Sequence, residues 1–119
     1  MIYIFFIARL IFGLYLLTNA YNHFKNHKSM ASYASSMNVA HPKWAVLGSG
    51  ALLLIGGLGI LLWVLVPVAV LAIILFLIPV SLKMHAYWKE SDPMAKMNQK
   101  IQFQKNMAIL AGALAFLLI

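Results

Sequence analysis

Two apolar stretches, "WAVLGSGALLLIGGLGILLW" at residues 44–63 and "VPVAVLAIILFLIPVSL" at residues 66–82, decide the fold of this chain. Neither contains a charged residue, and each is close to the roughly 20 residues with which a helix crosses about 30 Å of hydrocarbon. Only Val64 and Leu65 separate them, and Pro67 suits the first position of a helix, where its missing N–H costs nothing. The two stretches therefore predict a tight hairpin of transmembrane helices, with Trp63 at the membrane interface.

Two further apolar stretches, "IYIFFIARLIFGLYLLT" at residues 2–18 and "FQKNMAILAGALAFLLI" at residues 103–119, flank this hairpin. With their polar ends included, we predict helices at about 2–19, 44–63, 66–88 and 93–119. The second helix is rich in glycine, which lets transmembrane backbones approach closely. The expected fold is all-α, a bundle of four transmembrane helices with a polar connector between the third and fourth, and residues 1–119 are expected to form a single domain.

The composition places the chain in a membrane. Hydrophobic residues make up 64% of it and charged residues 9%, whereas a soluble domain is nearer half apolar and a quarter charged. The absence of cysteine excludes dithiol exchange, iron–sulfur clusters and thiolate metal sites. The net charge of +7 is not gathered in a soluble basic patch, so we expect anionic lipid headgroups, and not nucleic acid, as its partner.

The polar connector "MHAYWKESDPMAKMNQKIQFQKN", residues 84–106, contains the two acidic residues of the chain, Glu90 and Asp92. Asp92 followed by Pro93 is a strong start signal, which predicts that the last helix begins at Pro93, near the headgroups. We expect His85 and Trp88 to face one way at the end of the third helix.

Because the two helices flank one short connector, four of its polar residues are expected to converge: His85, Asp92, Lys105 and Asn106. Such a cluster binds a quinone carbonyl or an anion in one interpretation. In the other interpretation it is a salt-bridged lock that satisfies polar groups at the edge of the bilayer.

Arg9 is the one charge well inside an apolar stretch. In one interpretation it snorkels and anchors the first helix, with the carboxyl-terminal carbonyls of the second and fourth helices as partners. In the other interpretation it contacts an anion or ligand.

A polar group, Asn22, His23, Asn26 and His27, is expected just past the end of the first helix. His23 and His27 have the spacing of two metal ligands, but no third ligand is evident. We therefore expect an interfacial polar patch there and no metal or haem.

The lysines predict the orientation. Lys25, Lys28 and Lys43 follow the first helix, and Lys89, Lys96 and Lys100 follow the third, with Lys83 and Lys105 at the margins of that second group. The opposite side has no basic residue except Arg9. The positive-inside rule then places both connectors in the cytoplasm and both termini outside, in the inner membrane of a bacterium or archaeon.

Several of these motifs resemble the DoxX family of small four-helix membrane proteins. The resemblance is carried by "RLIFGLYLLTNAYNHFKN", by the paired glycines Gly56 and Gly57, and by the connector with "FQKNMAILAGAL". The most specific part is His–x–x–Trp, then Asp-Pro, then Phe–x–Lys–Asn, which falls on His85, Trp88, Asp92, Pro93, Phe103, Lys105 and Asn106. Many members carry a glutamate shortly before the paired glycines, where this chain has Leu53, so the resemblance does not extend to proton handling there.

The resemblance implies a link to membrane oxidoreductase complexes and quinone chemistry. We therefore expect an accessory or scaffold subunit of a respiratory or redox membrane complex, in contact with that complex or with a second copy. One alternative is a quinone-handling oxidoreductase component that uses the cluster at the ends of the third and fourth helices for its ligand. Another is a transporter or lipid-binding protein. The lack of cysteine, of a firm metal set and of a nucleotide motif argues against an autonomous redox enzyme.

Overall fold

The structure, a computed structural model, describes residues 1–119 as an all-helical chain. Its α-helices are α1 (Ile2–Lys25), α2 (His27–Ser36), α3 (Pro42–Leu62), α4 (Val66–Met84) and α5 (Pro93–Ala115), with single 3-10 turns at Tyr87–Lys89 and Phe116–Leu118. The predicted fold class is confirmed, because α1, α3, α4 and α5 are each long and apolar enough to cross a membrane.

The four long helices form a layered bundle in which each packs mainly on its neighbour. α3 lies between α1 and α4, α5 packs on α4, and α2 lies against α3. Glycines permit these close approaches, as predicted: a Cβ on Gly57 would lie 2.9 Å from the Leu17 side chain, and one on Gly59 would overlap the Cβ of Ala69. The buried centre is apolar and includes Leu16, Leu53, Ile60, Ala69, Ile73 and Leu77.

The hairpin between α3 and α4 is as tight as the sequence predicts. Trp63 and Leu65 both adopt left-handed backbone conformations, with φ of 58° and 48°, and the N–H of Val64 donates to the carbonyl of Gly59 at 3.0 Å. α4 begins at Val66, so Pro67 occupies its second position instead of the first. The turn reverses the chain with no glycine at either left-handed position, a conformation that L-residues adopt at a cost of about 1–2 kcal/mol each.

The end of α4 differs from the prediction. The helix was expected to continue to Trp88, but it ends at Met84, and Tyr87–Lys89 forms a separate 3-10 turn. The rings of Tyr87 and Trp88 both pack on Phe103, each at a centroid distance of 5.6 Å. These contacts hold the connector against α5, and the prediction that His85 and Trp88 share one helical face is therefore wrong.

The end of α1 also differs from the prediction. The helix continues past residue 19 to Lys25, so Asn22 and His23 lie within it and not beyond it. Leu16, Ala20 and His23 are all buried on one face, which is the spacing of an amphipathic helix. The following connector contains α2, a helix that the sequence analysis did not predict.

The start of α5 is confirmed. Asp92 lies just before the helix, and its carboxylate accepts the N–H of Ala95 at 2.9 Å. Pro93 is the first helical residue. The helix ends at Ala115 and the chain finishes in a 3-10 turn, slightly short of the predicted end at residue 119.

Candidate functional site

Two adjoining cavities lie at the end of the bundle where α1 and α4 finish and α3 and α5 begin. We call this the lysine-rich end. The larger cavity has a volume of about 450 Å³ and lies among α1, α2, α3 and α4. The smaller, of about 220 Å³, lies among α1, α2, α4 and α5, with Leu53 of α3 also in its wall. Both are lined mainly by apolar side chains, and they share a wall made of His23, Met30, Tyr33, Phe76, Val80 and Met84.

His23 is the most enclosed polar group of this shared wall. Its side chain is 8% exposed, and its Nδ1 lies 2.8 Å from the carbonyl oxygen of Asn19. A carbonyl accepts hydrogen bonds and never donates them, so Nδ1 carries the proton and donates it to Asn19. The ring is also held by Phe76, whose centroid lies 5.6 Å away in an edge-to-face arrangement.

A chain of hydrogen bonds joins two residues that line the smaller cavity, His85 and Tyr33. Nδ1 of His85 donates to Oε1 of Gln99 at 2.8 Å, and Nε2 of Gln99 donates to the hydroxyl oxygen of Tyr33 at 3.1 Å. This chain links α5 to α2 and to the end of α4. Because the Tyr33 oxygen accepts, its own O–H is free to donate.

Asn106 and Ser81 form the buried polar pair between α5 and α4. The amide nitrogen of Asn106 donates to the Ser81 hydroxyl at 3.2 Å, and the two residues are 6% and 0% exposed. Asn106 lines the smaller cavity. A polar pair in a transmembrane bundle both satisfies its own groups and sets the register of two helices.

The charge around the cavities is positive. Lys83 lines the larger cavity and Lys105 the smaller, and both are exposed. Neither cavity is lined by an aspartate or a glutamate. No three His, Cys, Asp or Glu side chains of the chain lie together as metal ligands.

The structure brings together three of the predicted connector residues and separates two. His85, Lys105 and Asn106 all line the smaller cavity. Asp92 caps α5 and is exposed, and Trp88 packs edge-on against Tyr87 and Phe103. The predicted convergence of four residues is therefore wrong for Asp92, because its carboxylate is held at the start of α5 by the N–H of Ala95.

Arg9 lies at the opposite end of the bundle. Its Nε and Nη2 donate to the carbonyls of Ile60 and Leu61 at 3.3 and 2.8 Å. The guanidinium carbon is 5.3 Å from the ring centroids of both Phe5 and Trp63. The predicted carbonyl partners at the end of the second spanning helix, α3, are confirmed, whereas the carbonyls at the end of the fourth, α5, accept no hydrogen bond from Arg9. A role for Arg9 in ligand binding stays a prediction, and it lines neither cavity.

Two wall residues were missed by the sequence analysis as site residues. His23 was predicted to be interfacial because the first helix was predicted to end at about residue 19, whereas α1 ends at Lys25. Its spacing from Leu16 and Ala20 nevertheless places it on the same helical face as these two residues. Tyr33 was missed although Met30, Tyr33 and Ala34 follow the i, i+3, i+4 spacing of one apolar helix face. The segment is short and on average polar, and it takes its position from packing on α3.

The comparisons with known proteins agree with this architecture. The family model for DoxX matches residues 4–86, which is more than half of the chain. The chain belongs to the DoxX family. No curated protein and no solved structure matches it at a significant level.

The DoxX match includes α1 to α4 and therefore all of the larger cavity. It ends before Trp88, Asp92, Lys105 and Asn106, so His85 is the one connector candidate that lies inside it. Together with the four spanning helices, the match makes this chain a small multi-pass integral membrane protein.

Proposed function

We propose that this DoxX-family protein binds a quinone-type lipid in the two cavities of its lysine-rich end. The observation that carries the proposal is the pair of adjoining, mainly apolar cavities with a few polar groups in their walls. The larger volume of about 450 Å³ falls within the roughly 300–1,000 Å³ of small-molecule sites. A quinone has a flat ring with two carbonyl acceptors and an apolar tail, which suits such a lining.

Donors for the quinone carbonyls are present in the walls. The Tyr33 hydroxyl accepts from Gln99 and keeps its own hydrogen for a ligand. Lys83 and Lys105 supply cationic donors at the two cavities. Charge-assisted hydrogen bonds are stronger than neutral ones, especially where water is partly excluded.

The tail has a route to the bilayer. Leu75 and Pro79 line the larger cavity and are themselves exposed on the outer flank of α4. Because these two lining residues face outward, we propose that the cavity opens on this flank to the lipid that surrounds the helix. A ligand with a long apolar tail therefore needs no aqueous path into the site.

The test is binding of a short-chain quinone with a ten-carbon tail to the protein purified in mild detergent, measured by calorimetry. Ala45→Leu places a larger side chain into the larger cavity, which Ala45 lines. We expect it to weaken binding by about tenfold or more. Ala51→Leu is the matched control on the same helix, because Ala51 is exposed and lines neither cavity. Absence of quinone binding to the unmodified protein, or an equal effect of both variants, would overturn the proposal.

An accessory role in a larger respiratory or redox complex is compatible with this ligand and stays a prediction from the family resemblance. The same mild-detergent preparation tests it. Co-purification of oxidoreductase subunits in fixed stoichiometry would support that role, and a protein that elutes alone or as a homo-oligomer from native membranes would contradict it.

The orientation is likewise a proposal, based on the lysines at the cavity end. Single cysteines at Ser29 and Ser91, both exposed, are expected to react with an impermeant reagent only after the membrane is opened. A cysteine at Val64, in the α3–α4 turn at the other end, is the control that should react in intact spheroplasts. The reverse pattern would show the opposite orientation.

A further inference from the structure

We infer that the site selects ligands whose polar head carries an O–H donor, of the phenol class, because Nε2 of His23 accepts that hydrogen bond. The inference rests on the proposed ligand site and adds a chemical preference to it. It starts from a polar group that is more than nine-tenths buried, lines both cavities and has one nitrogen without a partner.

The tautomer of His23 is set by its backbone partner. Nδ1 donates to the Asn19 carbonyl at 2.8 Å, so in the neutral ring Nε2 holds a lone pair and no proton. Nδ1 makes the one hydrogen bond of this side chain. The ring therefore offers a ligand an acceptor and not a donor.

The surroundings keep the ring neutral. No acidic side chain lines either cavity, so no carboxylate is present there to stabilise an imidazolium. Lys83 and Lys105 are both positive, and like charges disfavour a second cation nearby.

The ring is also fixed in place. A Cβ on Gly50 would lie 3.0 Å from the Cβ of His23, which shows how closely α3 approaches it. Phe76 packs edge-to-face on its other side. A held acceptor discriminates more strongly than a mobile one, because it does not turn away from an unsuitable ligand.

The other polar groups fit the same ligand class. Tyr33 shares the wall with His23 and has an O–H free to donate. A hydroxyl on the ligand both donates and accepts, so it satisfies either residue. An ether or carbonyl oxygen accepts only, and it would leave the His23 lone pair without a donor, which is unfavourable. Of the two redox forms of a quinone-type lipid, the reduced form with its O–H groups therefore fits this wall better than the oxidised form.

The experiment compares a redox-inert pair of probes, 4-heptylphenol and its methyl ether, by calorimetry on the purified protein. The ether keeps the ring, the tail and the oxygen acceptor and loses only the donor. We expect the unmodified protein to bind the phenol about tenfold more tightly, the value of one hydrogen bond of about 1.4 kcal/mol. The variant His23→Phe keeps an aromatic ring against Phe76 and loses the acceptor. Its ratio of phenol affinity to ether affinity should therefore equal the ratio set by partitioning of the two probes into detergent.

His27→Phe is the matched control, because Nδ1 of His27 also donates to a backbone carbonyl, that of Phe24 at 2.9 Å, and His27 lines neither cavity. It should keep the preference for the phenol. Equal binding of phenol and ether by the unmodified protein would overturn the inference and leave the quinone site standing, since that site is judged by the quinone probe. Loss of the preference in His27→Phe alone would overturn the role of His23. If the His23→Phe variant does not fold, the affinities of the unmodified protein for the phenol and for the ether still test the inference.

Discussion

The two ends of this bundle treat their polar groups in opposite ways. At the end that holds Arg9, here called the aromatic end, four ring contacts have centroid distances of 4.7–6.4 Å, three of them edge-on and one tilted. They involve Phe5, Phe12, Trp63 and Phe116. The guanidinium of Arg9 closes on two backbone carbonyls and two of these rings. At the lysine-rich end, two cavities remain between the helices. Each of four lining residues has a donor or acceptor that makes no hydrogen bond within the protein: His23, Tyr33, Lys83 and Lys105.

The difference separates a polar group used for structure from one available for a ligand. Arg9 donates to two of the last carbonyls of α3, which have no partner within the helix. Its hydrogen bonds are therefore made within the protein. The wall groups of the cavities have only part of their hydrogen-bonding capacity occupied. Mutations at the aromatic end should therefore change stability, and mutations around the cavities should change binding.

The largest effect is expected from glycines at opposite ends of α3. Gly59→Ala places a methyl group on the Cβ of Ala69, and both atoms are fixed to backbone, so we expect a loss of about 2–3 kcal/mol. Gly48→Ala is the matched control, because a Cβ there meets nothing within 4 Å. It should stabilise the protein slightly, by up to about 1 kcal/mol through helix propensity. Thermal unfolding in detergent measures both, and equal effects would show that α3 and α4 separate freely near the turn.

Arg9→Met tests whether the aromatic end is purely structural. Loss of two charge-assisted hydrogen bonds and the ring contacts is expected to destabilise the bundle by about 2 kcal/mol. Arg9→Lys should recover part of this, because it keeps the charge but not the forked geometry. Quinone binding per folded molecule should stay unchanged. Lost binding with an unchanged melting temperature would instead support the predicted ligand contact of Arg9.

At the lysine-rich end, variants of His85 and Lys105 distinguish a structural role of the cavity wall from a role in ligand binding. His85→Gln disturbs the hydrogen-bond chain through Gln99 to Tyr33 and is expected to cost about 1–1.5 kcal/mol. Lys105→Met removes an exposed group at the cavity and should weaken quinone binding with little change in melting temperature. Both quantities are measured on the same purified variants. A Lys105 variant that melts early and loses binding only in proportion to unfolded protein would contradict a ligand role.

The smallest effect is expected at Asp92, which belongs to the lysine-rich end but is structural. Its carboxylate caps α5, so Asp92→Ala should cost about 0.5–1 kcal/mol and Asp92→Asn only a few tenths. Thermal unfolding again provides the measurement. Equal losses of several kcal/mol in both variants would indicate a charge interaction in addition to the cap.

The candidate site was predictable only in part. His85, Lys105 and Asn106 were identified because they sit where two predicted helices meet a short connector. Tyr33 was missed because α2 is a mainly polar helix of ten residues, too short to form without packing against α3. Met30, Tyr33 and Ala34 nevertheless have the spacing of one apolar face. His23 was misassigned through an error of about two turns in the end of α1, although its periodic spacing carried the correct information.

The sequence alone determined the membrane class, the four spanning segments, the α3–α4 hairpin and the start of α5. These features depend on local chemistry: apolar length against bilayer thickness, a two-residue gap, and an aspartate before a proline. Only the tertiary structure decided that α4 stops at Met84, that α2 lies against α3, and that His23 faces two cavities. Those outcomes depend on contacts between residues far apart in the chain, such as Tyr87 and Trp88 on Phe103, Phe76 on His23, and Gly50 beside it. No pattern within a single segment records such contacts, because the free energy that selects them comes from the neighbouring helix.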